Sequence, residues 1–138
     1  MYAVRVTDDD TQGPMIGAPS YANSVPSDEP ITVTVEVSDQ TTGGHGVLTA
    51  TLHFGYTVPY NQHSIGGSGP GGDGDGIWTF IILAQGDAYE GQTLRFSLEA
   101  CDGDNSPVCS MRDNSGNYYA VRIASSFEIY LPLVVRNS

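Results

Sequence analysis

The chain has no lysine; all five of its basic residues are arginines, Arg5, Arg95, Arg112, Arg122 and Arg136. That excludes every mechanism needing a lysine amine: a Schiff base, a P-loop, an intramolecular Lys–Asn isopeptide bond. Against five arginines stand 16 carboxylates, for a formal net charge of −11. A surface this short of cations is a poor match for nucleic acid, whose phosphates must meet Lys and Arg. No apolar run is long enough to cross a membrane as a helix. Catalytic signatures are missing too. There is no G-x-S-x-G elbow and no H-E-x-x-H, and His45, His53 and His63 have no acid–nucleophile partner at a recognisable spacing. Paired carboxylates can hydrolyse glycosides, but here they fall in loops with no predicted sugar cleft. The expectation is a protein that is not an enzyme.

Cysteine is scarce: Cys101 and Cys109 are the only two, with seven residues between them. That spacing suits a disulfide across a hairpin-like loop. The other readings are two unlinked thiols or half of a zinc site, and no second Cys/His pair stands at zinc spacing. A disulfide implies an oxidising compartment. Met1 is followed directly by a strand-like run rather than an apolar signal segment. The chain is therefore expected to be a mature or excised part of an exported protein, extracellular or on the cell surface.

What is present is β-pattern. One domain is the natural count for 138 residues. Ile31–Ser38 alternates β-branched and polar residues between Pro30 and Asp39. Val47–Tyr56 alternates again, with Leu48, Leu52 and Phe54 expected to face a core. Ile77–Leu83 reads as a buried strand, with Trp78 in or near the core. Leu94–Ala100 and Tyr118–Ile123 complete five clear strands. Pro14–Tyr21 and Thr57–Gln62 are candidates for two more. The stretch from Thr57 to Gly76 reads as a long loop, glycine-rich from Gly66 onward, and Asp73-Gly74-Asp75-Gly76 within it as a turn. Nothing reads as an amphipathic helix.

Tyr2-Ala3-Val4-Arg5-Val6 nearly repeats Tyr119-Ala120-Val121-Arg122-Ile123, 117 residues later. Internal self-similarity at one-domain spacing suggests a tandem array. On that reading residues 1–14 are the end of a preceding repeat plus an acidic linker, 15–123 the domain, and 124–138 an apolar C-terminal tail. Alternatively, residues 2–6 are this domain's own first strand. The tail is strand-like but broken by Pro132, and too apolar to be left in water.

The runs Pro30–Asp39, Gly46–Leu52, Asp75–Thr79 and Leu94–Asp102 together resemble the immunoglobulin-like or fibronectin-III-like modules found in tandem on exported bacterial proteins. The run Ile129-Tyr130-Leu131-Pro132-Leu133-Val134 resembles the C-terminal tails of many secreted proteins of filamentous green non-sulfur bacteria. The first resemblance implies an all-β, immunoglobulin-like β-sandwich of about seven antiparallel strands. It implies a structural or accessory role beside preceding domains of the same parent protein, as a rigid spacer or adhesion repeat. It also implies a shared pole for the N-terminal linker, the loop after Ser38 and the loop before the last strand. Cadherin-like repeats hold calcium at the equivalent junction. The candidate oxygens here are Asp8, Asp9, Asp10, Asp39, Asp102, Asp104, Asn105 and Asp113, enough for an ion that takes six to eight. The other reading of these residues is a solvated acidic pole of turn-forming aspartates. Two further functions remain open. A carbohydrate-binding module would present aromatic platforms to a glycan, the candidates being Tyr56, Tyr60, Trp78, Tyr118 and Tyr119. A fibre subunit would donate a terminal strand to an identical neighbour.

Overall fold

A computed structural model describes residues 13–38, 47–71, 74–102 and 108–125, the side chains of residues 47 and 48 excepted. Nine strands follow in order: β1 Met15–Ile16, β2 Ser24–Pro26, β3 Ile31–Ser38, β4 Val47–Gly55, β5 His63–Gly66, β6 Gly76–Ile82, β7 Thr93–Asp102, β8 Cys109–Arg112 and β9 Tyr119–Ala124. One 3-10 turn, Asp87–Tyr89, links β6 to β7. The smaller sheet has the order β1-β3-β6. The larger has the order β2-β9-β7-β4-β5, with β8 also on β7. Together they form an all-β sandwich of two sheets.

The period-2 pattern explains the two layers. In β3 the apolar positions Ile31, Val33, Val35 and Val37 are buried, while Thr32 and Glu36 are exposed. Their register partners on β6 include Ile82, Phe80 and Trp78, all buried. Across the core stand Ala50, Leu52 and Phe54 of β4, Leu94, Phe96, Leu98 and Ala100 of β7, and Val121 and Ile123 of β9. Leu52 and Phe54 face inward as their alternation requires; the side chain of Leu48 lies outside the described residues.

Among the described residues nine strands stand where about seven were expected, and one pair is parallel: Ser24, Val25 and Pro26 of β2 run alongside Arg122, Ile123 and Ala124 of β9. Three residues are too few to display alternation, and β8 (Cys-Ser-Met-Arg) is too polar to read as a strand. The structure also moves the edge strand β5 to His63–Gly66, just beyond Thr57–Gln62. From there the chain crosses to the small sheet through the Ser68–Thr79 bridge. The crossing lies flat on two core rings. A Cβ at Gly67 would stand 2.6 Å from the Phe80 ring, and one at Gly69 2.6 Å from the Trp78 indole. Only glycine leaves room for that approach.

Two short strands share one edge of β7. Strand β8 lies along Leu98–Cys101 and β9 along Thr93–Phe96, with residues 113–118 looping out between them. The Cys101–Cys109 disulfide crosses the β7–β8 ladder at a register pair, with Cα atoms 4.0 Å apart. It closes a loop of eight-residue separation, which constrains the unfolded chain by about 2–3 kcal/mol. Cys109→Ser should therefore fold to the same sandwich and melt roughly 5–12 °C lower. An unchanged melting temperature, with the thiol count confirming the lost bridge, would refute that contribution.

Candidate functional site

The two ends of the sandwich differ. Met15 pairs with Ser38, and Val47 with Asp102, at what is here called the upper pole. Gly13 reaches the same pole, where a Cβ would stand 2.7 Å from the Cys109 carbonyl carbon. At the lower pole Ser27 N–H donates to the Ala124 carbonyl (2.8 Å), and Gly86 N–H to the Ser27 carbonyl (2.9 Å). Ser27 Oγ also donates to Glu90 Oε2 at 2.7 Å.

The acidic candidates divide. Asp102 ends β7 at the upper pole and is fully buried. Its Oδ1 accepts from Val108 N–H (3.0 Å) while its own N–H donates to the Val108 carbonyl (3.1 Å), so the residue closes the base of the loop. Asp113 follows β8 at the opposite end, where its Oδ1 accepts from Gly116 N–H at 3.0 Å. The four residues of β8 separate Val108 from Asp113, five steps of extended chain or roughly 16 Å at strand rise. One calcium ion with ligands at about 2.3–2.6 Å cannot take both. Asp113 therefore does not fit the proposed polar set, because β8 carries it away from the pole. Asp8, Asp9, Asp10, Asp39, Asp104 and Asn105 lie outside the described residues. Among the described residues one group of metal-ligating types converges, Glu99 with Cys101 and Cys109, and the disulfide occupies both sulfurs.

The aromatic candidates divide as well. Trp78 is buried in the core, its Nε1–H donating to the Gly74 carbonyl at 2.7 Å. Tyr119 is buried against Phe96, ring centroids 5.3 Å apart, and its hydroxyl accepts from Arg112 Nε at 2.8 Å. Arg112 also donates through Nη1 to the Ile16 carbonyl (2.8 Å), tying β8 to β1 across the two sheets. Neither ring can serve as a platform for a ligand. Tyr56 is half-buried, stacked on Tyr89 at 4.6 Å, and donates to Gln85 Oε1 at 2.6 Å.

Tyr60 and Tyr118 do meet. They come from separate loops and pack edge to face, centroids 5.0 Å apart, with the Arg95 guanidinium 5.8 Å from the Tyr60 ring. Both have left-handed backbone, φ 61° and 63°. So do Asn114, Ser115 and Gly116 in the adjoining turn, at 60°, 58° and 87°. Side chains in that region cost roughly 1–2 kcal/mol per residue, glycine and asparagine least. The turn is held by Tyr118 N–H to the Asp113 carbonyl (2.7 Å) and Asn114 Nδ2 to the Tyr118 carbonyl (3.1 Å).

Beside Tyr118 a groove of about 190 Å³ opens on the outer face of the large sheet, over Ser97, Met111 and Pro59 and between Asn61, Asp113, Glu99 and His53. His53 Nε2 lies 2.9 Å from Glu99 Oε1. A second groove, about 290 Å³, runs between Ile16, Arg112 and the 113–115 turn. Alternation alone puts His53 and Glu99 on the outward face. Their contact is diagonal, and finding it needs the β4–β7 register, in which His53 opposes Ser97 and Thr51 opposes Glu99. These surfaces can hydrogen-bond a ligand, but they hold no row of flat exposed rings. No protein-family model matches the chain, and no curated protein matches it.

Burial, and next to it the neighbouring Tyr89, pushes the Tyr56 phenol above the ordinary tyrosine range. The folded state therefore binds this proton more tightly than the unfolded chain does. Its contribution to stability is complete below the ordinary tyrosine pKa of about 10 and is lost as pH rises above that value. In an alkaline absorbance titration Tyr56 should ionise after the exposed tyrosines, and Tyr56→Phe should reduce the loss of stability above pH ~10. An identical alkaline profile in the variant would contradict this.

Proposed function

We propose that the chain is a non-catalytic, load-bearing spacer module of an exported protein, set between neighbouring domains. The observation that carries this reading is the placement of its terminal strands. The described chain comes in at the upper pole, at β1, and leaves from the lower pole, at β9. A module threaded in this way extends an array by its own length, about 26 Å for the eight residues of β3.

The parallel β2–β9 pair gives such a module resistance to extension. Tension draws β2 toward the upper pole and β9 toward the lower. Parallel strands pulled in opposite directions slide, so their hydrogen bonds are loaded together instead of opening one after another. Arg122 N–H to the Asn23 carbonyl and Ser27 N–H to the Ala124 carbonyl, both 2.8 Å, bracket that ladder. Arg112 bridges the sheets nearby. The inward turn of Trp78 and Tyr119 favours a spacer over a glycan-binding module, because two of the five aromatic candidates belong to the core. The Cys101–Cys109 bridge accords with an oxidising compartment. No described helix is long and apolar enough to cross a membrane.

Single-molecule pulling tests the reading. The unfolding force should be higher when the chain is held at its two ends than when it is held at cysteines placed to unzip the antiparallel β4–β5 hairpin. Equal forces in the two directions would remove the load-bearing role.

Calcium enters this reading only as an ion that stiffens the upper pole, without Asp113. A rise in melting temperature in calcium over EDTA should survive Asp113→Asn and be lost with Asp39→Asn. No rise would remove calcium and leave the spacer to be judged by the pulling experiment.

A further inference from the structure

The groove beside Tyr118 has a polar floor, and strand register explains its make-up. Ser97 stands on β7 between the core residues Phe96 and Leu98, so its side chain points to the outer face. Register sets His53 of β4 opposite Ser97, and Met111 of β8 opposite Glu99. Ser97 is only 4% exposed. Among the described residues its hydroxyl has no hydrogen-bond partner. Buried hydroxyls are ordinarily paired, and this one opens into the groove.

The charge around that hydroxyl is negative. Glu99 and Asp113 line the groove and no arginine does. Glu99 meets His53, the one basic lining group, at 2.9 Å, and Asp113 Oδ1 accepts from Gly116 N–H at 3.0 Å. Among the described residues neither carboxylate pairs with an arginine. Arg95, the next outward residue of β7, lies over the Tyr60 ring, and Tyr60 packs on Tyr118. Among the described residues His53, Glu99 and Asp113 do not close around one ion-sized centre. The groove therefore suits a cation larger than a metal ion, and Pro59, Met111 and Tyr118 give it apolar walls.

We propose that this groove docks a primary alkylammonium, presented as a lysine side chain of a partner protein. An ammonium has three donors and no acceptor; the groove offers the Ser97 hydroxyl and the carboxylates of Glu99 and Asp113 to receive them. The methylene stem lies along Met111, Pro59 and the Tyr118 ring, as such stems do on apolar surface. A guanidinium asks for a carboxylate free to accept in a bidentate fork, and one oxygen of Asp113 already serves its turn. The chain itself has no lysine, so neither the domain nor a second copy of it can supply the occupant. The contact is lateral, on the flank of the sandwich, and does not depend on the spacer role.

The test titrates the isotope-labelled full chain, with Cys101–Cys109 oxidised, and follows amide shifts by NMR. The probe is Nα-acetyl-lysine methylamide. The norleucine analogue keeps the stem without the charge, the arginine analogue changes the head, and a methyl glucoside stands for a polyol. The lysine probe should shift the amides of Ser97, Glu99 and Asp113 and bind about tenfold more tightly than each of the other three, the scale of one charged hydrogen bond. Asp113→Asn and Ser97→Ala should each weaken it about threefold or more. In Asp113→Asn the side-chain carbonyl can still accept from Gly116, so the turn is kept, and the melting temperature of each variant checks the fold. Equal binding of the norleucine or arginine analogue would overturn the proposal, as would tighter binding of the glucoside. Shifts spread over the acidic surface and unchanged in both variants would reduce the effect to diffuse attraction and overturn it too, and so would no shift with the lysine probe.

Discussion

Four valines and isoleucines on β3, pressed against the aromatic and aliphatic rows of β4, β7 and β9, are the contact on which the rest of the molecule depends. Ile31, Val33, Val35 and Val37 carry no polar atom into the core, and their β-branched side chains suit a pleated surface. Slipping β3 by one residue would turn Thr32, Thr34 and Glu36 inward and all four aliphatics outward. The register is therefore fixed by hydrophobic burial. Once it is fixed, β6 can find only one partner alignment, and Trp78 and Phe80 fall where the crossing glycines need them. The edges, turns and poles inherit their positions from this one interface.

The same interface explains which parts of the fold were legible in the sequence. Ile31–Ser38, Gly76–Ile82 and Thr93–Asp102 each display the period of two over seven or more residues, and the expected ranges differ from the structure by only a residue or two. β2 and β8 were not legible. Neither buries a row of its own; each is held by a neighbour's unpaired edge, which is a property of β7 and β9 rather than of the local sequence. The parallel sense of β2–β9 follows from the chain crossing between sheets after β1, and no local signal records that.

Legibility was lower for the candidate site, for a different physical reason. Residue type marked Tyr56, Tyr60, Trp78, Tyr118 and Tyr119 as equals. Burial sorted them, sending Trp78 and Tyr119 into the core and leaving only Tyr60 and Tyr118 in mutual contact. The carboxylates behave alike. Asp102 and Asp113 are close in sequence, yet the four residues of β8 hold them at its two ends. Sequence proximity suggested a common pole, and strand rise removed it. Arg112 carried no sequence signal, because its role depends on β1 lying across from β8.

The arrangement of β8 and β9 along one edge of β7 bears on how such a chain can change. Residues 113–118 leave that edge after Arg112 and rejoin it at Tyr119, and the register on either side is fixed independently, by Cys101–Cys109 above and by Leu94–Val121 and Phe96–Tyr119 below. A longer or differently composed excursion would shift neither ladder. The domain thus has a built-in graft point on its flank, away from both poles, where lineages or designers can install a recognition loop without altering either ladder.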